Sequence, residues 1–268
     1  MPADASWTFA PGPLLAVALA LVVYATRWSR ARAEEGPRAA SVWRLISFCT
    51  GLAMALAALV SPVDALSHQL ASMHMVQHIL LLDLASIFVI LGFTKVILRP
   101  VTRRVQRLEQ AAGPLAHPVF AVILYATVLW VWHVPWLYDL ALEHPGWHAV
   151  EHVSFTAAGA LYWWHLLSPI RSRMRLDGMG PVAYMVSTKL LVGFLGIGLT
   201  FDPNVLYAYG DGPRAWGLTP HGDQAVAGVI MATEQSIVMG VVLMWLFIRM
   251  LGESERAQQR AERLEAAS

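Results

Sequence analysis

His74 with His78 and His148 with His152 are each four residues apart, a step that sets two side chains on one face of a helix. Neutral imidazole is the commonest protein ligand for metals. Each pair can therefore offer two nitrogens to one ion, and two such helices can supply four without any cysteine. The single cysteine, Cys49, leaves no disulfide framework and no paired-thiol motif, and it reads as a small buried apolar side chain. Around the first pair, Met73 and Met75 add thioether sulfur. Sulfur mixed with imidazole suits copper, copper(I) above all, better than magnesium or calcium. The same methionines also suit apolar packing inside a helix. Beside the second pair, Glu151 offers a carboxylate that could ligate, fix an imidazole tautomer, or stand as a solvated interfacial charge. His133, among the tryptophans of the run Trp130, Val131, Trp132, is a further candidate imidazole.

The elements that must position these residues are membrane helices. The chain has 268 residues, 57% of them hydrophobic and only 14% charged, with mean hydropathy +0.52, which is too apolar for a soluble globule and too long for a single anchor. Seven stretches, roughly 13–28, 42–60, 75–96, 115–137, 148–167, 181–200 and 225–250, have about the 17 to 25 mostly apolar residues that a helix needs to cross a bilayer. The expected fold is all-α, a polytopic bundle of seven transmembrane helices over residues 1–252, with a polar cytoplasmic tail over 253–268. No basic residue precedes the first stretch and Asp4 does, which argues against a cleaved signal peptide and for an uncleaved first helix.

Orientation follows from the basic residues, which gather in short cytoplasmic loops. Arg27, Arg30, Arg32, Arg38 and Arg44 lie between the first two stretches, and Lys95, Arg99, Arg103, Arg104 and Arg107 between the third and fourth. Arg171, Arg173 and Arg175 join the fifth to the sixth, and Arg249, Arg256, Arg260 and Arg263 follow the seventh. The alternate connections carry almost no positive charge except Arg214, so the amino terminus is expected outside and the carboxyl terminus in the cytoplasm. With a net charge of only +1, the basic residues report topology, and nucleic-acid binding is not expected. This orientation puts His68, His74, His78, His133, His144, His148, His152 and His221 at the outer side, with His117 and His165 toward the inner one. The glycine-, proline- and tyrosine-rich loop over 202–223 is a candidate lid over an outer site, or a connector only.

Three ionisable residues fall deeper: Asp83, Lys189 and Glu234. A charge in hydrocarbon costs about 2.5–3.5 kcal/mol or more unless paired, so such groups face the bundle interior. Their similar depths suggest a Lys189 bridge to one or both carboxylates, serving either as a proton path or as an ion pair that fixes packing, with Asp223 and Gln224 extending the polar lining.

Several of these motifs resemble one known family together. His74, Gln77 and His78, the run from Trp132 and His133 through Pro135 to Tyr138, the set His148, Glu151 and His152 followed by Trp163 and Trp164, and the pattern Asp223, Gln224, Gly228, Met231 are similar to the CtaG-type assembly factors of caa-type cytochrome c oxidase, over roughly residues 43–250. The resemblance implies a seven-helix protein of a bacterial-type plasma membrane, surrounded by lipid, that helps build active haem-copper oxidase by delivering copper to an oxidase subunit. It implies no turnover chemistry, and so not an enzyme. Delivery by ligand exchange calls for an accessible outer site. The alternatives are a haem-binding transmembrane cytochrome with one axial histidine from each of two helices, a His-box membrane di-iron enzyme, a transporter and a scaffold with incidental histidines.

Overall fold

Proline opens half of the twelve α-helices among the described residues. Its fixed φ suits the first helical turn, and its missing N–H is one that has no intrahelical partner there. Pro11, Pro62, Pro118, Pro135, Pro145 and Pro220 stand at the first residues of α1 (Pro11–Glu35), α3 (Pro62–Ser67), α7 (Pro118–Trp132), α8 (Pro135–Glu143), α9 (Pro145–Leu167) and α12 (Pro220–Glu265). Between them lie α2 (Val42–Val60), α4 (Ala71–Ile79), α5 (Ser86–Gly92), α6 (Arg99–Ala112), α10 (Gly180–Phe201) and α11 (Gly212–Ala215). This computed structural model describes residues 3–170, 174 and 176–265; Arg171, Arg173 and Arg175 of the basic connections lie outside them. Among the described residues the chain is all-helical.

Helix α4, a π-helical turn over Leu80–Ala85, and α5 form one span, Ala71–Gly92. It runs antiparallel to α2: Gln77 Nε2 donates to Ala58 O at 2.8 Å near one end, and Ser47 Oγ donates to Phe88 O at 2.8 Å near the other. Helix α9 packs against the π turn, where Gly159 meets the backbone of Leu82 so closely that any Cβ would overlap the Leu82 carbonyl oxygen. Helices α10 and α12 approach through Gly196 and Gly228, each facing backbone of the other helix, the small-residue contact typical of helices in lipid. Val186, Leu190, Phe194, Ile197 and Phe201 of α10 are exposed, whereas Gln77, Asp83, Glu151 and Thr188 are buried. Apolar side chains outside and polar ones within is the distribution that suits a lipid surround.

Among the described residues, five helices are long and apolar enough to cross a membrane: α1, α2, the Ala71–Gly92 span, α10 and α12. The count reaches six if the segment Arg99–Ala116 and α7, bent by 69° at Pro118, make one span. Seven were expected, and two local causes account for the difference. The expected stretch over 115–137 breaks at His133, because Pro135 starts a new short helix and leaves α7 only 15 residues long. Helix α9 has the length, 23 residues, but carries His148, Glu151, His152, Ser154, Thr156 and His165 along it. It can afford them because α5, α7, α8 and the π turn pack around it. Toward the carboxyl end, α12 continues without a break to Glu265, so the polar tail expected from 253 is a helical extension as far as the described residues go.

Candidate metal centre

Asp223 fixes the start of the helix that carries the first histidine pair. Its carboxylate accepts from the backbone N–H of Ala71 at 2.6 Å and of Ser72 at 3.2 Å, and also from the Ser72 hydroxyl. These N–H groups have no partner within α4 itself, so a side chain from α12 caps it from across the bundle. One turn on, Gln77 is held by Ala58 O and by Asp64 Oδ1 at 2.9 Å. With both ends of the turn tied down, His74 and His78 point toward α9, whose own first turns present His148, Glu151 and His152.

At the centre is the Glu151 carboxylate, 0% exposed. Its Oε1 lies 3.4 Å from His74 Nε2 and 3.3 Å from His78 Nε2, and its Oε2 lies 4.0 Å from His148 Nε2. The ligand atoms of His74, His148 and Glu151 fall within 4.8 Å of one another, and so do those of His78, His152 and Glu151. His78 Nε2, His148 Nε2, His152 Nε2 and Glu151 Oε2 are all buried without a hydrogen-bond partner. Buried polar atoms are normally satisfied, and a buried carboxylate needs a compensating cation. Among the described residues, the partners of Glu151 within ion-pair distance are imidazoles only. Unpartnered imidazole nitrogens around one buried carboxylate form a set of atoms that could hold a metal ion, so these residues fit the group that the sequence calls for.

His133 and Met75 border this cluster. His133 Nδ1 lies 2.7 Å from Leu129 O, and since a carbonyl can only accept, Nδ1 carries the proton. The lone pair of Nε2 then faces Met75 Sδ at 3.3 Å, with the His78 ring 6.0 Å away. Both donors are therefore ready beside His78. Met73 is only half-buried and, two residues from buried Met75, lies roughly on the opposite side of α4.

His68, expected only among the outer histidines, is exposed with its ring edge-on to His148 at 4.7 Å. Partial desolvation against the cluster lowers its pKa from the ordinary histidine value, which keeps its lone pair available at neutral pH. The cluster itself is buried, against the accessible site expected, and His68 stands as an exposed imidazole against its His148 side. Tyr138, part of the family resemblance but not of the candidate ligand set, also borders the cluster. Its ring lies 4.8 Å from His74 and stacks on Tyr207 at 3.8 Å, and its hydroxyl meets that of Tyr209 at 2.6 Å. Gln224 pins the same loop by accepting from Leu206 N at 2.7 Å and donating to Asn204 O at 2.9 Å. The loop over 202–219 is therefore a cover packed over the cluster through Tyr138. Burial raises the Tyr209 phenol well above its usual range, which holds it neutral in this cover. Neither residue had a spacing signal, because each reaches the cluster from a separate element.

The deeper residues separate into two kinds. Asp83, on the π turn, accepts from Tyr125 OH at 2.9 Å to each oxygen and from Trp163 Nε1 at 2.6 Å, while Gln235 Nε2 donates to Tyr125 OH at 3.0 Å. Asp83, Glu234 and Gln235 line a cavity of about 10 Å³ that also touches His78 and Met75, room for roughly one water. Lys189 does not form the buried bridge expected: it is exposed on α10 and donates to Ser236 Oγ at 2.7 Å, acting on Glu234 only through space. Asp223 belongs to the α4 cap and not to the Asp83 group.

An all-helical membrane protein with a covered His and Glu cluster at one end of its bundle is the class that this fold and site define. The chain belongs to the cytochrome c oxidase caa3 assembly factor (CtaG) family, whose description matches residues 22–253. It is also similar to an uncharacterised protein of Mycobacterium leprae (strain TN), 21% identical over 251 residues. That similarity covers 84% of this chain and 37% of the relative, so the chain spans little more than a third of the relative's length. No solved structure matches it.

Proposed function

We propose that this protein holds copper at the cluster of His74, His78, His148, His152 and Glu151 and passes it to a subunit of haem-copper oxidase during assembly. The observation that carries the proposal is the buried Glu151 carboxylate surrounded by unpartnered imidazole nitrogens, which a bound cation would neutralise and satisfy. Membership of an oxidase assembly family supports the destination. Copper is favoured over other metals by the thioether of Met75 and the lone pair of His133 next to His78. Those two groups are suited to serve as alternate ligands while the ion moves. No reaction beyond ligand exchange is required, so the role is that of a carrier and not of an enzyme.

The same proposal places α9 as a seventh span, the amino terminus and the cluster outside a bacterial plasma membrane, and the basic connections inside. A haem between His78 and His152 is disfavoured by geometry. Glu151 stands within 4.8 Å of both, whereas a ligand-sized cavity needs roughly 300 Å³ or more.

Elemental analysis and an optical spectrum on protein purified without added metal test this. Copper without a Soret band is expected, and replacing His74, His78, His148 and His152 together by Ala should remove it from a protein that still purifies as a folded membrane protein. A Soret band, iron without haem, or unchanged copper content in the fourfold variant would overturn the proposal.

A further inference from the structure

Helix α6 (Arg99–Ala112) joins the Ala71–Gly92 span to α7 at the end of the bundle away from the cluster. Met75 of that span and His133 after α7 meet at the cluster end, so the far ends of the span and of α7 lie together at the other. The segment Arg99–Ala116 turns 69° from α7 at Pro118, and it therefore runs across the bundle end instead of continuing through it. None of the residues of α6 is buried. At about 100° per residue, Val101, Val105, Leu108 and Ala112 fall within about 60° of one another, and Arg99, Arg103, Arg104 and Arg107 occupy a separate flank about 140° wide. Val101 and Leu108 are exposed, as is Leu115 in the 3₁₀ turn Gly113–Ala116 that follows. Arg99 pairs with Glu35 at the end of α1, which ties the start of α6 to the bundle. Arg103, Arg104 and Arg107 point their exposed side chains elsewhere on the same flank.

We propose that α6 is a lipid-binding element that lies in the headgroup layer of the bilayer the bundle crosses. Val101, Val105 and Leu108 dip toward the acyl chains, and Arg103, Arg104 and Arg107 bind the phosphates of anionic phospholipids. An apolar stripe that the bundle leaves uncovered, beside an arginine-rich flank, is the pattern of a helix lying in a membrane surface. Two features select lipid over a protein partner. The span and α7 hold both ends of α6 at the membrane boundary, where headgroups surround it. Its charge is one-sided, four arginines against Glu109 alone, with exposed Lys95 just before it, and clustered basic residues next to a span attract anionic headgroups. Guanidinium groups also match phosphate oxygens in pairs. This inference stands independently of the copper proposal.

Full-length protein carrying one spin label, at Leu108→Cys or at Gln110→Cys in a Cys49→Ser background, is placed in nanodiscs of phosphatidylcholine with or without phosphatidylglycerol. Residues 108 and 110 stand on nearly opposite sides of α6, about 160° apart. Collisions with oxygen, which concentrates in lipid, and with a water-soluble nickel chelate report the surroundings of each label. With phosphatidylglycerol present, the oxygen-to-nickel ratio at Leu108→Cys should exceed that at Gln110→Cys several-fold. The difference should shrink in phosphatidylcholine alone and in Arg103→Gln/Arg104→Gln/Arg107→Gln. All the substituted side chains on α6 are exposed, and the change of lipid tests the same point with those arginines intact. Equal ratios at the two positions in phosphatidylglycerol discs would leave the helix in water and overturn the proposal. Shielding of Leu108→Cys from both reagents would mark a protein contact, such as a second copy, and overturn it too. A difference unaffected by lipid charge and by the triple variant would also overturn it, by leaving anionic headgroups no part in the binding.

Discussion

Glu151 shows how one residue can change meaning between a sequence and a fold. Along the chain it lies three residues after His148 and one before His152, compatible with a ligand, a tautomer-fixing acceptor or a surface charge. In the bundle it is fully buried, with His74 and His78 at 3.4 and 3.3 Å from one oxygen, and the surface-charge alternative falls away. His68 moves the other way, from one of the outer histidines to the exposed neighbour of His148. If it receives copper first, His68→Ala should slow loading of the apo protein from a copper(I) chelator complex while leaving the final stoichiometry unchanged. Stopped-flow mixing measures this, and an unchanged rate would remove His68 from the route. At this scale the four core histidines, Glu151, Met75 and His133 were legible, because residue types with ligand chemistry recur at helical spacing. The places of Tyr138 and His68 beside them were not, since nothing local in the chain ties either to the cluster. Lys189 was misplaced because depth along a helix is readable from sequence, whereas the side of the helix on which a lone polar residue falls is set by its neighbours.

At the scale of elements, the register between α4 and α9 makes the site. Two devices set it: the Asp223 cap at the start of α4 and the π turn over Leu80–Ala85, which lies against Gly159. π turns are frequent at functional sites, where the extra residue in the turn re-aims side chains. Here the turn aims Asp83 at Tyr125 and Trp163. A side chain at 159 would push α9 off the Leu82 carbonyl. Gly159→Val should therefore cost at least the about 1–3 kcal/mol of an overpacked core, lower the melting temperature in detergent, and weaken copper binding by moving the α9 histidines and Glu151 away from those of α4. Thermal unfolding and copper(I) titration of the variant check the two effects together. A variant with wild-type stability and affinity would show that this contact does not fix the register. Hydropathy placed most of the seven expected stretches near observed helices. It did not show the π turn, which has no composition of its own, or the break after α7, where the apolar run continues past the point at which Pro135 restarts the helix.

The whole molecule turns apolar side chains outward on α10 and α12 and polar ones inward, with the His and Glu cluster at the end of the bundle away from Arg44, which reaches Leu91 O. If the positively charged connections face the cytoplasm, a single cysteine introduced in a Cys49→Ser background reports the topology. Gly217→Cys, in the cover loop, should react with a membrane-impermeant maleimide in intact cells, and a cysteine in place of Gln258 should react only after the membrane is opened. The reverse pattern would put the cluster on the cytoplasmic side and remove the proposed route to the oxidase.

Composition and periodicity alone determined an all-helical membrane protein and the residue types of a His and Glu cluster, because burial in lipid and helical spacing both leave local marks in the chain. Only the tertiary structure decided which histidines gather around Glu151 and what covers them. Partnership between α4 and α9 depends on a backbone contact at Gly159 and a cap supplied from α12, interactions between residues 77 and 152 positions apart or more that no local pattern encodes.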